Sequence, residues 1–238
     1  MLVNSTTPLS TFCYRITYQI VGRLRFLSHK ELLRMLVRAC RRARLPLAYS
    51  QGYHPHPLLS FGPPRPVGMA GTAEHVDIRL TSALDPPALV ATLGSQMPRG
   101  ATVVAAQVLA PGTPAISAAV RRARYACAWP VDAPAPTTAA IAALLARTAL
   151  PLTRATGAGP RDVNLRPGIF DLHWAPPMLL FNLALAPDLY VRPQEVLALL
   201  TGWSDTNIRR LTITRTGMAS PPTAAGTSAE LYGTRNPD

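Results

Sequence analysis

The sequence predicts an α+β protein of two tandem ferredoxin-like (βαββαβ) domains, antiparallel sheets with helices on one face. Three observations predict it. Strand-like alternation and helix-like spacing follow one another in the order β-α-β-β-α-β between residues 14 and 109, the order of that fold. The second half of the chain runs through the same order again. A single shift of 107 residues brings Tyr18 onto Tyr125, "LVATL" (89–93) onto "VLALL" (196–200), and the closing strands onto each other. Domain boundaries are therefore expected at 13–111 and 121–218, with "APGTPAISAAV" as the linker. A Ser/Thr/Pro/Ala-rich tail, thinning out from Gly217 and covering 219–238, is expected to be disordered.

The first strand is "YRITYQIV", where Tyr14, Ile16, Tyr18 and Ile20 share one face. Ser28 followed by Glu31 is a capping box, so a helix should start there with His29 and Lys30 in its first turn. Leu32, Leu33, Leu36, Val37 and Cys40 recur at helical spacing as its buried stripe, and Pro46 ends it. "LLSFG" is expected to be extended, and "HVDIRL" alternates Val76, Ile78 and Leu80. Asp85 caps the next helix with Pro86 at its first position, and "ATVVAAQVL" closes the first half as a strand. In the second half "RYACAWPV" alternates Tyr125, Cys127, Trp129 and Val131, and "PTTAAIAALLART" reads as a helix. "RDVNLRPGIFDLHW" and "MLLFNLAL" read as two strands around a Pro176-Pro177 turn. "RPQEVLALL" is a helix with Pro193 in its first turn, and "RRLTITRT" is the last strand.

Composition narrows the class. With 48% hydrophobic residues the chain can bury a core, and no apolar run approaches the roughly 18 to 20 residues that span a bilayer. "MLVNSTTPLSTF" has neither the basic nor the apolar region of a signal peptide. The three cysteines, Cys13, Cys40 and Cys127, are far apart and make no cluster spacing, which fits thiols in a reducing compartment. A cytoplasmic protein without membrane contact is the expectation. The net charge is +12, and Lys30 is the only lysine beside 23 arginines. Between Tyr14 and Arg44 nine basic residues face one acidic residue, Glu31, so that stretch holds two thirds of the net charge.

The blocks "LRFLSHKELLR", "LPLAYSQGYHPHPLLSFGPPRPVG", "EHVDIRL", "NLRPGI" and "RPQEVLALL" carry a family resemblance. From about residue 14 to 216 the chain resembles the radical-SAM-linked (radical SAM-associated) family, a bacterial domain of unknown function found alone or fused behind radical SAM proteins. It is similar to the stand-alone members, and the resemblance implies a separate radical SAM protein as partner. The chain departs from the family pattern twice. His54 stands where Asn is usual, while His56 occupies the motif's histidine. "SHKE" replaces the common Ser-His-Leu-Asp, with Glu31 at the acidic position.

Two features could carry function. In "GYHPHP" the i, i+2 spacing puts His54 and His56 on one side of an extended backbone, where they could chelate with His29 or His75. The prolines supply no further ligands, so no metal and no cofactor is assigned. The loop is read instead as a stiff recognition loop presenting Tyr53, His56 and Arg65, because a preformed loop loses less entropy on binding. The second feature is the arginine row of the first helix: Arg34, Arg38, Arg41 and Arg42. Guanidinium forks match phosphate oxygens and stack on bases, so the row suits RNA. Arg166, in "NLRPG", is a further nucleic-acid candidate, and carbonyl or carboxylate pairing is the plainer role for it and for Arg192. Glu74 and Asp77 are expected in structural ion pairs with Arg65 or Arg79.

No GxxxxGK[ST], helix-opening GxGxxG, HExxH or GxSxG occurs, and a radical SAM enzyme's own cysteines are missing. The expected function is a non-catalytic accessory protein that presents RNA or an RNA-like substrate to a radical SAM protein. The alternatives are an RNA-processing hydrolase or nuclease using His29 and His56, and a protein-interaction module with a basic docking face.

Overall fold

The computed structural model describes residues 11–157 and 159–219. The expected tail lies outside the described residues apart from its start, and that start is ordered. The last strand runs through Ala219, so Gly217 pairs with Arg124 instead of loosening the chain.

The architecture is mixed α+β, with an eight-stranded, mostly antiparallel sheet and six α-helices among the described residues. β1 (Phe12–Ile20) buries Tyr14, Ile16, Tyr18 and Ile20, the four residues whose alternation predicted it. α1 (His29–Arg42) begins at the foreseen capping box: the Ser28 hydroxyl accepts from the Glu31 N–H, and the Glu31 carboxylate accepts from the Ser28 N–H. Its buried stripe is Leu32, Leu36, Ala39 and Cys40. Leu33 is 38% exposed, so it belongs to the helix flank and not to the core. The helix also stops before Pro46. Arg44 takes a left-handed φ of 52°, and Leu45 N–H bonds back to the Cys40 carbonyl, a Schellman ending that usually employs glycine.

β2 (Leu59–Phe61) and β3 (Ala70–Leu80) follow, then α2 (Pro86–Gly94) capped by Asp85, and β4 (Ala101–Val108). β3 starts well before "HVDIRL", because "AGTAE" offers small residues that show little alternation. The linker is not featureless: α3 (Ile116–Ala119) buries Ile116, and its first N–H donates to the Asp77 carboxylate at 3.0 Å. β5 (Arg122–Ala128) and α4 (Thr138–Ala146) form where expected, but β5 stops before Trp129, and Val131, expected on its alternating face, is 99% exposed. "RDVNLRPGIFDLHW" is not one strand. It divides into β7 (Gly159–Asn164), which forms a separate hairpin with β6 (Pro151–Thr156), a 3-10 turn at Arg166–Gly168, and β8 (Ile169–Ala175). A proline inside "NLRPG" withdraws a ladder N–H, which is a physical reason for the break. β9 (Met178–Ala184) pairs with β8 across the cis Pro176-Pro177 bond. α5 (Pro193–Thr201), the unforeseen short α6 (Asp205–Arg209) and β10 (Thr212–Ala219) complete the chain.

The strands run β4-β1-β3-β10-β5-β9-β8, with β2 beside β3. Within each half the order is last, first, third, second. The two expected sheets are however one, because β10 joins β3 in parallel at Thr214–Ala70 and Arg215–Gly71. That junction occupies only the start of β3; further along, β2 pairs with the same edge at Val76–Ile78. The sheet therefore splits there. Two apolar clusters lie on either side, one around Ile16, Leu36 and Leu89, the other around Tyr125, Leu179 and Val196. Met69 comes from the first half yet packs in the second cluster, so burial also bridges the seam.

Candidate functional site

At the seam the sequence places a charge where a strand's buried face would take an apolar residue. Ile213 and Arg215 alternate onto the same face of β10, and Arg215 is 0% exposed. Such a charge survives only if paired and hydrogen-bonded. Its Nε donates to Glu74 Oε1 at 2.8 Å, and Nη2 donates to Glu74 Oε2 and to the Pro63 carbonyl at 2.9 Å. Gly71 makes room for the pair: a Cβ there would strike the Glu74 side chain. Glu74 thus pairs with Arg215, and Asp77 pairs bidentately with Arg15 (Nε to Oδ1 2.7 Å, Nη2 to Oδ2 3.0 Å). The expected partners Arg65 and Arg79 take neither role. In-register opposition on adjacent strands, Arg15 against Asp77, decides the second pairing. Around the buried pair, burial raises the hydroxyl pKa values of Tyr18, Tyr125 and Tyr190. Among the described residues the buried Tyr190 hydroxyl has no hydrogen-bond partner, while the Tyr125 hydroxyl faces Arg215.

Above this pair, where the sheet splits, lies a cleft of about 720 Å³. His29 and Leu33 of α1 form one wall, and β2 with Gly62, Pro63 and Pro64 forms the floor. The turn after β9 (Leu185, Ala186, Pro187) and Tyr190 form the far wall, and Ser117 of α3 closes one end. The His29 ring stands edge-on to Phe61, with centroids 5.2 Å apart. Periodicity could not show this cleft, since its walls come from segments more than 150 residues apart. Leu33, which spacing assigns to the buried stripe, is turned toward this cleft.

The "GYHPHP" loop closes on itself instead of joining the cleft. Ser50 N–H donates to the His56 carbonyl at 2.9 Å, and the Ser50 hydroxyl accepts from His56 N–H at 3.1 Å. The same hydroxyl lies 2.9 Å from His56 Nδ1. Tyr53 at the tip is 96% exposed, with the His54 ring edge-on to it. The cleft is lined by His29 but not by His56, Tyr53 or His54. The end of the block does reach it, through Leu59 to Pro64. Arg65 is anchored: its Nη1 donates to the carbonyls of Arg25, Pro66 and Met69, and burial lowers its pKa. Arg166 is also held by backbone, donating to the Leu145 carbonyl at 2.8 Å and to Ile169 at 3.0 Å. Arg192 extends beside Tyr190, and its N–H is capped by Glu195.

The arginine row lies on the opposite flank of α1. Arg34, Arg38 and Arg42 line a shallow groove of about 410 Å³ with Glu31, Met35 and Pro98, while Arg41 is exposed beside it. Arg42 donates to the Gln96 carbonyl. Glu31, the acid nearest the row, is engaged by Ser28, whose hydroxyl and N–H hold its carboxyl below the usual range. Arg34, Arg38 and Arg41 make no ion pair among the described residues. Among the described residues no three His, Cys, Asp or Glu side chains gather as a metal-ligand set, and no helix is long and apolar enough to cross a membrane.

Fold and site together define an α+β protein with one split sheet, an uncharged cleft at the split and a basic groove on its first helix. Residues 13–209 match the family described as an uncharacterized protein conserved in bacteria (DUF2344), and the chain belongs to that family. No curated protein matches it.

Proposed function

We propose that this protein is a non-catalytic accessory subunit that binds RNA, or an RNA-like substrate, and presents it to a separate radical SAM protein. The observation that carries the reading is the exposed, ion-pair-free Arg34/Arg38/Arg41 set of α1, next to a carboxylate already occupied by its own helix cap. Guanidinium groups held on one rigid helix meet a polyanionic backbone with little ordering cost. The partner class rests on the motif resemblance, in particular on "GYHPHPLLSFGPPRPVG". In the same reading the repeated strand order marks two ferredoxin-like units fused edge to edge. A hydrolytic centre would need His29 and His56 at one reacting atom. His29 lines the cleft, whereas His56 is tied to Ser50 in a loop outside it.

The test is fluorescence anisotropy with labelled single-stranded RNA at low salt, wild type beside Arg34→Glu/Arg38→Glu/Arg41→Glu. The reading expects binding that the triple variant loses by at least about tenfold, because several phosphate contacts become repulsions. Equal binding by the two proteins, or none by either, overturns it. Copurification of a radical SAM protein with the wild-type chain tests the presentation step.

A further inference from the structure

We propose that the cleft at the split of the sheet is a binding site for a small, uncharged aromatic heterocycle taken from solution. Its size comes first: about 720 Å³ falls inside the roughly 300–1,000 Å³ typical of small-molecule sites, and such sites favour the junction of two halves. Its charge comes second. In a chain of net charge +12, no Arg, Lys, Asp or Glu among the described residues lines this cleft. A phosphate or carboxylate seated here would lose its water without gaining a counter-charge. The basic groove is on the other flank of α1, so the two sites differ in chemistry as well as in place.

The walls select for flat rings. Phe61, with the His29 ring edge-on to it, and the Pro63, Pro64 and Pro187 rings offer planar apolar surfaces. Against them stand two hydroxyls, Ser60 and Ser117, while the Tyr190 hydroxyl is sealed from the cleft. Directly behind the Pro63 wall, Arg215 donates to the Pro63 carbonyl. A ring nitrogen or carbonyl of the ligand would accept from Ser117 at the exposed end while the ring system covers Phe61 and the prolines.

The experiment is isothermal titration of the full chain with adenosine, lumichrome and quinoline-3-carboxamide, all uncharged heterocycles, against 2-naphthoate as the charged comparator, in 0.15 M salt. Two variants accompany it: Ser117→Ala, which deletes a lining hydroxyl alone, and Ser117→Trp, which fills the cleft from an exposed position. At least one uncharged probe is expected to bind more tightly than 2-naphthoate. Its affinity should fall about threefold to tenfold in Ser117→Ala, the worth of one hydrogen bond, and be lost in Ser117→Trp. Thermal denaturation of both variants shows whether they remain folded. Failure of every uncharged probe to bind overturns the proposal, as does binding that survives Ser117→Trp. Binding of single-stranded RNA that Ser117→Trp abolishes, with no free heterocycle bound, would make the cleft a base pocket of the RNA site and overturn the proposal as stated. Loss of RNA binding in the arginine variant leaves this outcome untouched, so the two readings fail separately.

Discussion

At the scale of single residues, the interior of this protein tolerates polar groups only under tight terms. His75 is the instructive case. It sits on β3 opposite Thr17, whose hydroxyl lies 3.1 Å from its Nδ1. Burial lowers its pKa below the usual 6.5, helped by the Arg15 charge and opposed by Glu74 and Asp77, with Arg215 again lowering it. The folded state therefore holds fewer protons than the unfolded state just below pH 6.5. Stability is fully present above that value and falls as pH drops through the window between the unfolded and folded pKa values. Urea denaturation of wild type and His75→Gln from pH 7.5 to 5.5 should show a decline in the first that is shallower in the second. Parallel pH profiles would remove His75 as its source. Reading from sequence alone was uneven at this scale. Arg166 takes the plainer of its two expected roles, donating to backbone carbonyls, whereas Arg65, expected at the face of a recognition loop, has its guanidinium committed to carbonyls as well. Arg215, which holds the seam, has no local signal except a charge on the apolar face of a strand.

At the scale of elements, α1 shows what a helix face can and cannot tell. Its cap, its buried stripe and its charged row all follow from spacing, and Leu36 and Leu33 differ only in which side of the stripe they occupy. Leu36 is 1% exposed in the core, and its truncation to Ala is expected to cost about 2–5 kcal/mol by lost burial and a cavity. Leu33→Ala, at the cleft wall, should cost less, about 1–2 kcal/mol, since 38% of its surface stays in water on folding. Chemical denaturation of the two variants checks the contrast, and equal losses would put Leu33 back in the core. Strands with strong alternation, such as Tyr14 to Ile20 and Tyr125 to Trp129, were equally legible. Those that failed share a cause. β3 begins in "AGTAE", the β6–β7 hairpin is polar, and α6 is five residues long, so none spans enough apolar periods to register.

At the scale of the whole molecule, the repeated strand order by itself would give two sheets, and the junction makes them one. Two in-register positions of parallel pairing are a weak tie, so the buried Arg215–Glu74 pair is the polar lock across the seam. Arg215→Met leaves the Glu74 carboxylate buried alone and is expected to cost about 3–5 kcal/mol. The double variant Arg215→Met/Glu74→Met should recover most of that, because no charge is stranded. A single variant as stable as wild type in urea would show that the lock is idle. Long-range pairing of this kind joins residues 141 positions apart, beyond the reach of any local pattern. The functional sign that the sequence offers at this scale is an excess of arginine. The structure adds that Arg34, Arg38 and Arg41 are exposed on one helix without ion pairs among the described residues. The most direct test of the central claim is the salt dependence of RNA affinity, wild type beside Arg34→Ala/Arg38→Ala/Arg41→Ala. With three phosphate contacts removed, the slope of log affinity against log salt should flatten by about two for a single strand. Identical slopes for the two proteins would contradict the account and leave the row a solvated surface.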